Sequence, residues 1–366
     1  MKITRIEAFP IHAPRAHRFV GARAALTYSD FALVIVETDA GITGFGEVSS
    51  ALYYYRLGPS HALDINAYLG PALLGQDPLH IPALVERMDT ALSGGRQAKS
   101  GVEMALWDIA GKAAGLPVYR LLGGKAREAV PLNWTVGQQE PEEMADEAAL
   151  YLEKHRVRSI RLKIGRPGDT DIRACEAVRK RIGPDVTLRL DANEYHRSAK
   201  EAIAAIRRLE CFDLQLVEQP LAAHDFVGHA EVRAAVGVPI GLDESIQSPR
   251  DALTAIHARA GDVFNVYVSE SGGLLRSQQI IAIAEAAGIP CLIGTMGELQ
   301  IASAAAVHLA VACANIPLTC DLVGPLRYNE SIIEEPLRIE DGHFYPPEKP
   351  GLGVTPNWDV INRWRV

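Results

Sequence analysis

Apolar and polar residues alternate over the first 50 positions in the manner of antiparallel strands. The pattern predicts a meander with strands over residues 3–11, 31–38 and 42–48. The Arg-rich segment 13–28 and the segment 49–60 have no core-facing pattern, so we predict loops there. Apolar residues at helical spacing then predict three helices, near residues 61–74, 81–92 and 98–114.

After residue 130, predicted strands and helices alternate at near-constant spacing. Eight apolar segments each close on a residue that we take as a strand end: Val136, Lys163, Asp191, Glu218, Asp243, Tyr267, Gly294 and Asp321. Successive ends lie 24 to 28 residues apart, about the length of one strand–helix unit. The pattern predicts an α/β fold, a (β/α)8 barrel, with its functional residues at the carboxyl ends of the strands.

The Leu-Leu-Gly-Gly sequence at residues 121–124 interrupts the helical pattern and marks a domain boundary. We predict an α+β domain over residues 1–125 and the barrel over residues 126–330. The remaining tail, residues 331–366, is expected to pack back on the first domain. A chain of 366 residues is long enough for this division.

Three of the predicted strand ends are acids, namely Asp191, Glu218 and Asp243. Consecutive parallel strands place their carboxyl ends on one rim, so the three carboxylates are expected to meet there. Oxygen ligands suit a hard divalent cation such as Mg²⁺. A single acid at a strand end is more often a helix cap, but three acids in phase favour a metal site.

Lys163 and Tyr267 lie one period before and one period after these acids. A proton next to a carboxylate is weakly acidic, so its removal needs both charge stabilisation and a base. We predict Lys163 as that base, with its pKa lowered by Arg161 on the same strand face and by the cation. Tyr267 could equally well fill barrel volume.

The totals exclude several classes of protein. The formal net charge of −8 and the lack of a basic tract argue against nucleic-acid binding. The sequence contains no apolar run of membrane-spanning length and no signal-peptide pattern, and its five cysteines lack metal-binding spacing. We therefore expect a cytoplasmic enzyme that acts on a small molecule, without a nucleic-acid or membrane partner, and we expect a homo-oligomer.

Several motifs, taken in order, resemble the enolase superfamily and its muconate-lactonizing-enzyme subgroup. The motifs are Gly44-Phe-Gly-Glu, the helix at 98–112, Arg161-Leu-Lys-Ile-Gly, Asp191-Ala-Asn, Glu218-Gln-Pro, Asp243-Glu-Ser, Gly294-Thr-Met, Asp321-Leu-Val-Gly-Pro and Pro350-Gly-Leu-Gly-Val. The resemblance covers nearly the whole chain. It implies a modified barrel with an N-terminal α+β capping domain.

The resemblance also implies roles for individual residues. Asp191, Glu218 and Asp243 would bind Mg²⁺ or Mn²⁺, Lys163 would be the acid–base group, and Arg161 would stand in for the first lysine of a Lys-x-Lys motif. Glu298 matches an acid after the seventh strand. The loops at 13–28 and 49–60 match loops that close over substrate, and we assign substrate binding to Tyr53, Tyr54 and Asp321.

Tyr267 departs from the family pattern, because a lysine usually stands there before Gly-Gly. A neutral phenol is a poor base, so the change favours one-sided chemistry on a carboxylate substrate: cycloisomerisation, as in muconate cycloisomerase, or β-elimination. The alternative is an epimerase or racemase of an amino-acid derivative, with Tyr267 ionised. A third hypothesis is a barrel that retains the metal and binds a metabolite without turnover.

Overall fold

The N-terminal region is built on an antiparallel sheet. The structure, a computed structural model, describes residues 1–20, 25–49 and 58–366. Strands β1 (Ile3–Val20), β2 (Ala25–Thr38) and β3 (Thr43–Ser49) lie in the order β1-β2-β3. The loop predicted at 13–28 is wrong for its described part, because β1 and β2 stay paired beyond Pro14 opposite Tyr28. Backbone hydrogen bonds sustain this hairpin without an apolar pattern.

Helices cover one face of this sheet. They are α1 (Gly58–Asp64), α2 (Gly70–Leu73), α3 (Ile81–Ala91), α4 (Arg96–Ala114) and α5 (Val118–Leu121), with a π-helical turn over Ile65–Leu69 between α1 and α2. Helix α4 packs directly on β3. Gly46 permits this contact, since a Cβ atom there would lie 1.8 Å from the carbonyl oxygen of Gly101.

Alternating strands and helices follow. They are β4 (Val130–Pro131), β5 (Trp134–Val136), α6 (Pro141–His155), β6 (Ser159–Lys163), α7 (Thr170–Ile182), β7 (Thr187–Asp191), α8 (Ala199–Leu209), β8 (Leu214–Glu218), α9 (Phe226–Ala235), β9 (Ile240–Leu242), α10 (Pro249–Ala258), β10 (Val263–Val266), α11 (Val268–Ser271), α12 (Leu274–Ala286), β11 (Cys291–Ile293) and α13 (Gln300–Ala312). Strands β5 to β11 form one parallel sheet in chain order. This sheet confirms the modified barrel expected from the sequence.

The eighth place of the barrel is occupied by an extended segment, so the strand predicted to end at Asp321 is wrong. Cys320 forms a single parallel bridge with Leu132 on one side. On the other side, the Asp321 amide donates to the carbonyl of Ile293 at 2.9 Å. The chain enters a 3₁₀ turn at Gly324–Arg327 before a ladder can form. These bonds nevertheless close the ring of eight places.

The tail returns to the N-terminal sheet. It contains β12 (Ile339–Glu340), β13 (His343–Phe344) and α14 (Trp358–Trp364), and β13 pairs with β4. After α14, Arg365 bridges Ile11, and the Val366 amide donates to the carbonyl of Pro10 at 3.2 Å. No helix in the described ranges combines the length and the apolar character that membrane crossing requires.

Two buried acids of the N-terminal region fix it over the barrel. Glu47 on β3 accepts hydrogen bonds from the amides of Leu299 (2.7 Å) and Ala302 (3.1 Å), at the start of α13. Glu103 on α4 accepts from the amides of Leu274 (2.8 Å) and Leu275 (2.9 Å), at the start of α12. Each carboxylate therefore caps a barrel helix whose first amides have no partner within the helix.

Candidate active site

The three predicted metal-binding acids converge. Asp191 and Glu218 are the last residues of β7 and β8 and lie opposite each other in register, and Asp243 follows β9 directly. One carboxylate oxygen of each lies within 4.8 Å of the others, and all three side chains are buried. The donor set consists only of oxygen atoms, which is the set that hard divalent cations prefer. The residues present therefore fit such a cation.

The electrostatics of this cluster point the same way. Burial raises the pKa of Asp243 well above its ordinary value, and the carboxylates of Glu244 and Glu218 raise it further. Beside it, Oε2 of Glu244 is buried without a hydrogen-bond partner among the described residues. Burial also raises the pKa of Glu218. Negative charge is in excess here, and a bound cation would balance it.

Lys163 lies against the same cluster. It is the last residue of β6 and pairs with Asp191 across the sheet. Its Nζ lies 2.5 Å from Oδ2 of Asp191 and 2.7 Å from Oδ1 of Asn193. Burial alone would raise the pKa of Asp191, but Lys163 and Arg161 hold it below the ordinary value. The only side-chain amine of this strand is thus presented at the strand end, within the acid cluster.

Arg161 contacts the acids directly. Its Nη1 lies 2.6 Å from Oε1 of Glu218, 2.9 Å from Oδ2 of Asp321 and 3.6 Å from Oδ2 of Asp191. Burial lowers the pKa of Arg161, but these carboxylates outweigh it and raise the pKa well above its ordinary value. Asp321 also accepts a hydrogen bond from Asn133 at 2.5 Å. Its carboxylate is fully buried against these two partners, and its substrate contact stays a prediction.

Tyr267 follows β10 and reaches the same centre. Its hydroxyl donates to Oδ2 of Asp243 at 3.1 Å, and Nδ2 of Asn265 lies 3.5 Å from the phenol oxygen. Gly294 makes room for the ring, since a Cβ atom there would lie 2.2 Å from Cε2 of Tyr267. Burial raises the pKa of Tyr267 well above its ordinary value, and Asp243 raises it further. The phenol is therefore neutral and acts as a hydrogen-bond donor.

Glu298, Tyr53 and Tyr54 are the remaining predicted site residues. Glu298 is buried and hydrogen-bonded within its own loop, to the Thr295 hydroxyl and to the Met296 amide at 2.9 Å. Burial raises the pKa of Glu298, although these bonds lower it. Tyr53 and Tyr54 lie outside the described residues, so their predicted substrate contacts stay predictions.

A cavity opens above this centre and brings in residues that the sequence analysis did not single out. Lys163, Asp243 and Tyr267 line it, together with Glu270, Arg15 and Arg327. Arg15 is held by the Ser29 hydroxyl at 2.8 Å. Glu270 lies between Tyr267 and the Gly-Gly pair at 272–273, and its charge was the available signal. Arg15 lies in the segment 13–28 that was matched to a loop closing over substrate, but no pattern distinguished it from the other arginines of that segment.

Comparison with known proteins agrees with this geometry. The family model "Mandelate racemase / muconate lactonizing enzyme, N-terminal domain" matches residues 5–123, and "Enolase C-terminal domain-like" matches residues 143–360. The chain belongs to the enolase superfamily, in the mandelate racemase/muconate lactonizing enzyme family. The resemblance inferred from the motifs is thereby confirmed.

Relatives within this family carry more than one name. The chain is 33% identical over 369 residues to an N-succinyl-L-Arg/Lys racemase of Bacillus cereus, covering 100% of this chain and 98% of that protein. It is 35% identical over 362 residues to an L-Ala-D/L-Glu epimerase of Bacillus subtilis, covering 97% of each chain. A muconate lactonizing enzyme from Pseudomonas fluorescens, complexed with muconolactone, superimposes with a TM-score of 0.96 at 32% identity, covering 100% and 99%. The family is thus established, and its members catalyse different reactions.

Proposed function

We propose that this protein removes the proton α to the carboxylate of a small substrate, with Lys163 as the base. The observation that carries the proposal is the convergence of three buried acids with the Lys163 amine, at a centre where Lys163 and Asp243 line a cavity. Proton removal from such a carbon needs a base and a site of positive charge together. Lys163 would supply the base, and a cation held by the three acids would supply the positive charge.

Asp191, Glu218 and Asp243 would hold the cation, which we propose to be Mg²⁺, with Mn²⁺ as an alternative. When bound, such an ion stabilises the negative charge that develops on the substrate carboxylate as the proton leaves. The capping region, which we place at residues 1–125, would close the cavity from above. Exclusion of water strengthens every charge interaction inside.

The chain's own side chains have separate tasks in this proposal. Lys163 takes the proton, and Asn193 holds the Lys163 amine in place through its Oδ1. Arg161 opposes the burial that raises the pKa of Glu218 and fixes its carboxylate through the 2.6 Å ion pair. Tyr267 orients Asp243 by donating a hydrogen bond from its hydroxyl to Oδ2. Glu298, buried in its own loop, is left as a second-rank participant.

Two candidate reactions share this proton transfer and differ in what happens to the intermediate afterwards. A single base with a neutral Tyr267 supports a one-sided outcome, cycloisomerisation or β-elimination, and the muconate lactonizing enzyme is a structural relative. A racemase or epimerase of an amino-acid derivative is the second candidate, supported by the N-succinyl-L-Arg/Lys racemase and the L-Ala-D/L-Glu epimerase. Both begin with the same proton transfer.

A deuterium-exchange experiment tests the common step. The Mg²⁺-loaded protein would be incubated in D₂O with N-succinyl-L-arginine, N-succinyl-L-lysine, L-Ala-L-Glu and muconolactone, and the α-proton signal followed by NMR. We expect the signal of at least one compound to be lost with the wild type and kept with Lys163→Ala. Equal exchange by the two proteins would contradict the role of Lys163, and no exchange of any compound would contradict the substrate class.

A further inference from the structure

Two walls of the cavity face each other across the barrel. Lys163 ends β6, whereas Tyr267 and Glu270 follow β10, and three strands, β7, β8 and β9, lie between them. The ring has eight places when the Cys320 segment is included, so β6 and β10 are half a turn apart. A substrate bound between them therefore presents one face to Lys163 and the other to the wall that β10 supplies.

On that wall the Tyr267 hydroxyl is already engaged. It donates a hydrogen bond to Oδ2 of Asp243, and its ring packs against Gly294. Glu270 stands three residues further on, in the single turn of α11, where the Ser271 amide bonds the Tyr267 carbonyl. Glu270 is half-buried and lines the same cavity. Tyr267 donates its hydrogen bond to a predicted metal-binding acid, so Glu270 is the group of this wall that we consider for proton exchange.

The surroundings of Glu270 permit both of its protonation states. Burial raises its pKa to about 7, opposed by Arg96 of α4 and by a hydrogen bond from Gln247. Glu298 and Glu194 add negative charge from the segments after β11 and β7, and Asp243 faces Glu270 from β9. A group that both gains and loses a proton near working pH is suited to general acid–base catalysis.

We propose that Glu270 is the second acid–base group of the cavity and exchanges a proton with the substrate face opposite Lys163, so that the reaction is a racemisation or epimerisation. This inference rests on the proposed function and chooses between its two outcomes. It assigns a catalytic role to a residue of this chain where Tyr267 has replaced a basic group.

The proton balance is complete without any further reactant. The Lys163 amine takes the α-proton from one face, and the electron pair of the broken C–H bond moves into the substrate carboxylate. The Glu270 carboxylic acid gives its proton to the other face, and a new C–H bond forms. Lys163 is then an ammonium and Glu270 a carboxylate, and exchange of both with water restores the starting state. The opposite enantiomer reverses the two roles.

Exchange of each enantiomer tests the proposal, with N-succinyl-L-arginine and N-succinyl-D-arginine, and L-Ala-L-Glu and L-Ala-D-Glu, as probes in D₂O. Polarimetry would follow inversion and NMR would follow α-deuteration. For Glu270→Gln and for Lys163→Ala we expect inversion to fall by about 100-fold or more. Lys163→Ala should still deuterate the D-configured probe of each pair but not the L-configured one, and Glu270→Gln should do the reverse.

Glu103→Gln is the matched control, because Glu103 is also buried with its pKa raised to about 7 but lies outside the cavity. It should keep inversion and the deuteration of both enantiomers. The pH profile adds a readout that a purely structural role would not change: the limb near pH 7 should disappear in Glu270→Gln alone.

The two levels of the proposal fail in different ways. Inversion and two-sided deuteration that persist in Glu270→Gln would overturn the role of Glu270 while the α-proton chemistry stands. Retention of deuteration with no inversion by the wild type would also overturn it, in favour of the one-sided reaction. A wild type that deuterates none of the probes would overturn this inference together with the proposed function.

Discussion

Buried acids occur in two regions of the molecule, and their partners differ. At the junction between the N-terminal region and the barrel, Glu47 and Glu103 each accept two backbone amides from the start of a helix. At the barrel rim, the carboxylates of Asp191, Glu218 and Asp243 face one another within 4.8 Å. The first group is satisfied by the chain, whereas the second accumulates negative charge.

The difference shows that burial of an acid does not by itself mark a functional site. Burial raises the pKa of Glu47 to about 8 and that of Glu103 to about 7, yet both carboxylates cap helices. What distinguishes the rim is that its acids lie beside other acids and beside Lys163, and that Asp243 and Lys163 line a cavity. The partners of a buried acid, and not its degree of burial, distinguish a structural acid from a candidate functional one.

The largest expected effect compares two lysine–aspartate pairs. Lys163 contacts Asp191 at 2.5 Å at the rim, and Lys99 contacts Asp89 at 2.7 Å at the junction; both lysines are buried. Lys163→Ala should lower kcat by about 10³-fold, because a positioned base is lost, while the protein still binds Mn²⁺. Lys99→Ala should lower stability and keep kcat within about 3-fold. Steady-state kinetics and calorimetric titration measure both, and similar kcat values would contradict the distinction.

A second prediction compares the acids themselves. Asp243→Asn should weaken Mn²⁺ binding by more than about 100-fold. This loss is larger than the usual one for a residue that only hydrogen-bonds to a metal ligand. Glu103→Gln should leave the dissociation constant unchanged, although its carboxyl is equally buried. Isothermal titration of the two variants measures the difference without any substrate. Unchanged affinity in Asp243→Asn would show that the three acids do not bind a metal together.

The rim was largely predictable from the sequence because it repeats. Asp191, Glu218 and Asp243 recur at one strand–helix period, and parallel strands put their ends on one edge whatever the helices do. The pairing of Arg161 with Glu218 and Asp321 was not predictable, since it depends on which side chains share a layer inside the barrel. The strand–helix period predicts which residue ends each strand, but the register between strands determines which side chains it contacts.

The junction was not predictable for a different reason. Glu47 caps α13 across 252 residues of chain, and Glu103 caps α12 across 171. Local pattern carries no information about contacts so distant along the chain. The hairpin of β1 and β2 was missed beyond Pro14, because residues on neither face of it form a continuous apolar stripe. Tertiary pairing decided both cases.

A third prediction concerns stability at the junction. Glu47→Ala leaves the buried amides of Leu299 and Ala302 without their acceptor, and each unsatisfied group costs about 1–3 kcal/mol. The free energy of unfolding should fall by about 2–5 kcal/mol, as measured by urea denaturation. Glu86→Ala, on the exposed face of α3, should change it by less than about 0.5 kcal/mol. Equal effects would mean that the cap contributes nothing.

The last prediction is a pH dependence with a defined sign. The pKa of Glu47 is about 8 in the folded chain against 4.5 as its ordinary value, so the folded state binds this proton more tightly. Between these values stability falls as pH rises, by at most about 1.4 kcal/mol per pH unit for one group. Glu47→Gln removes that slope, whereas its lost hydrogen bond is a constant offset. Urea denaturation from pH 5 to pH 9 should therefore give a flatter curve for the variant.

Glu103→Gln provides the internal comparison for this slope. The pKa of Glu103 is raised only to about 7, so its contribution should end about one pH unit lower than that of Glu47. Subtracting each variant's curve from that of the wild type isolates the two windows. If both differences were flat between pH 5 and pH 8, the junction acids would be ionised throughout. The helix amides would then outweigh burial, and the contrast with the rim would rest on geometry alone.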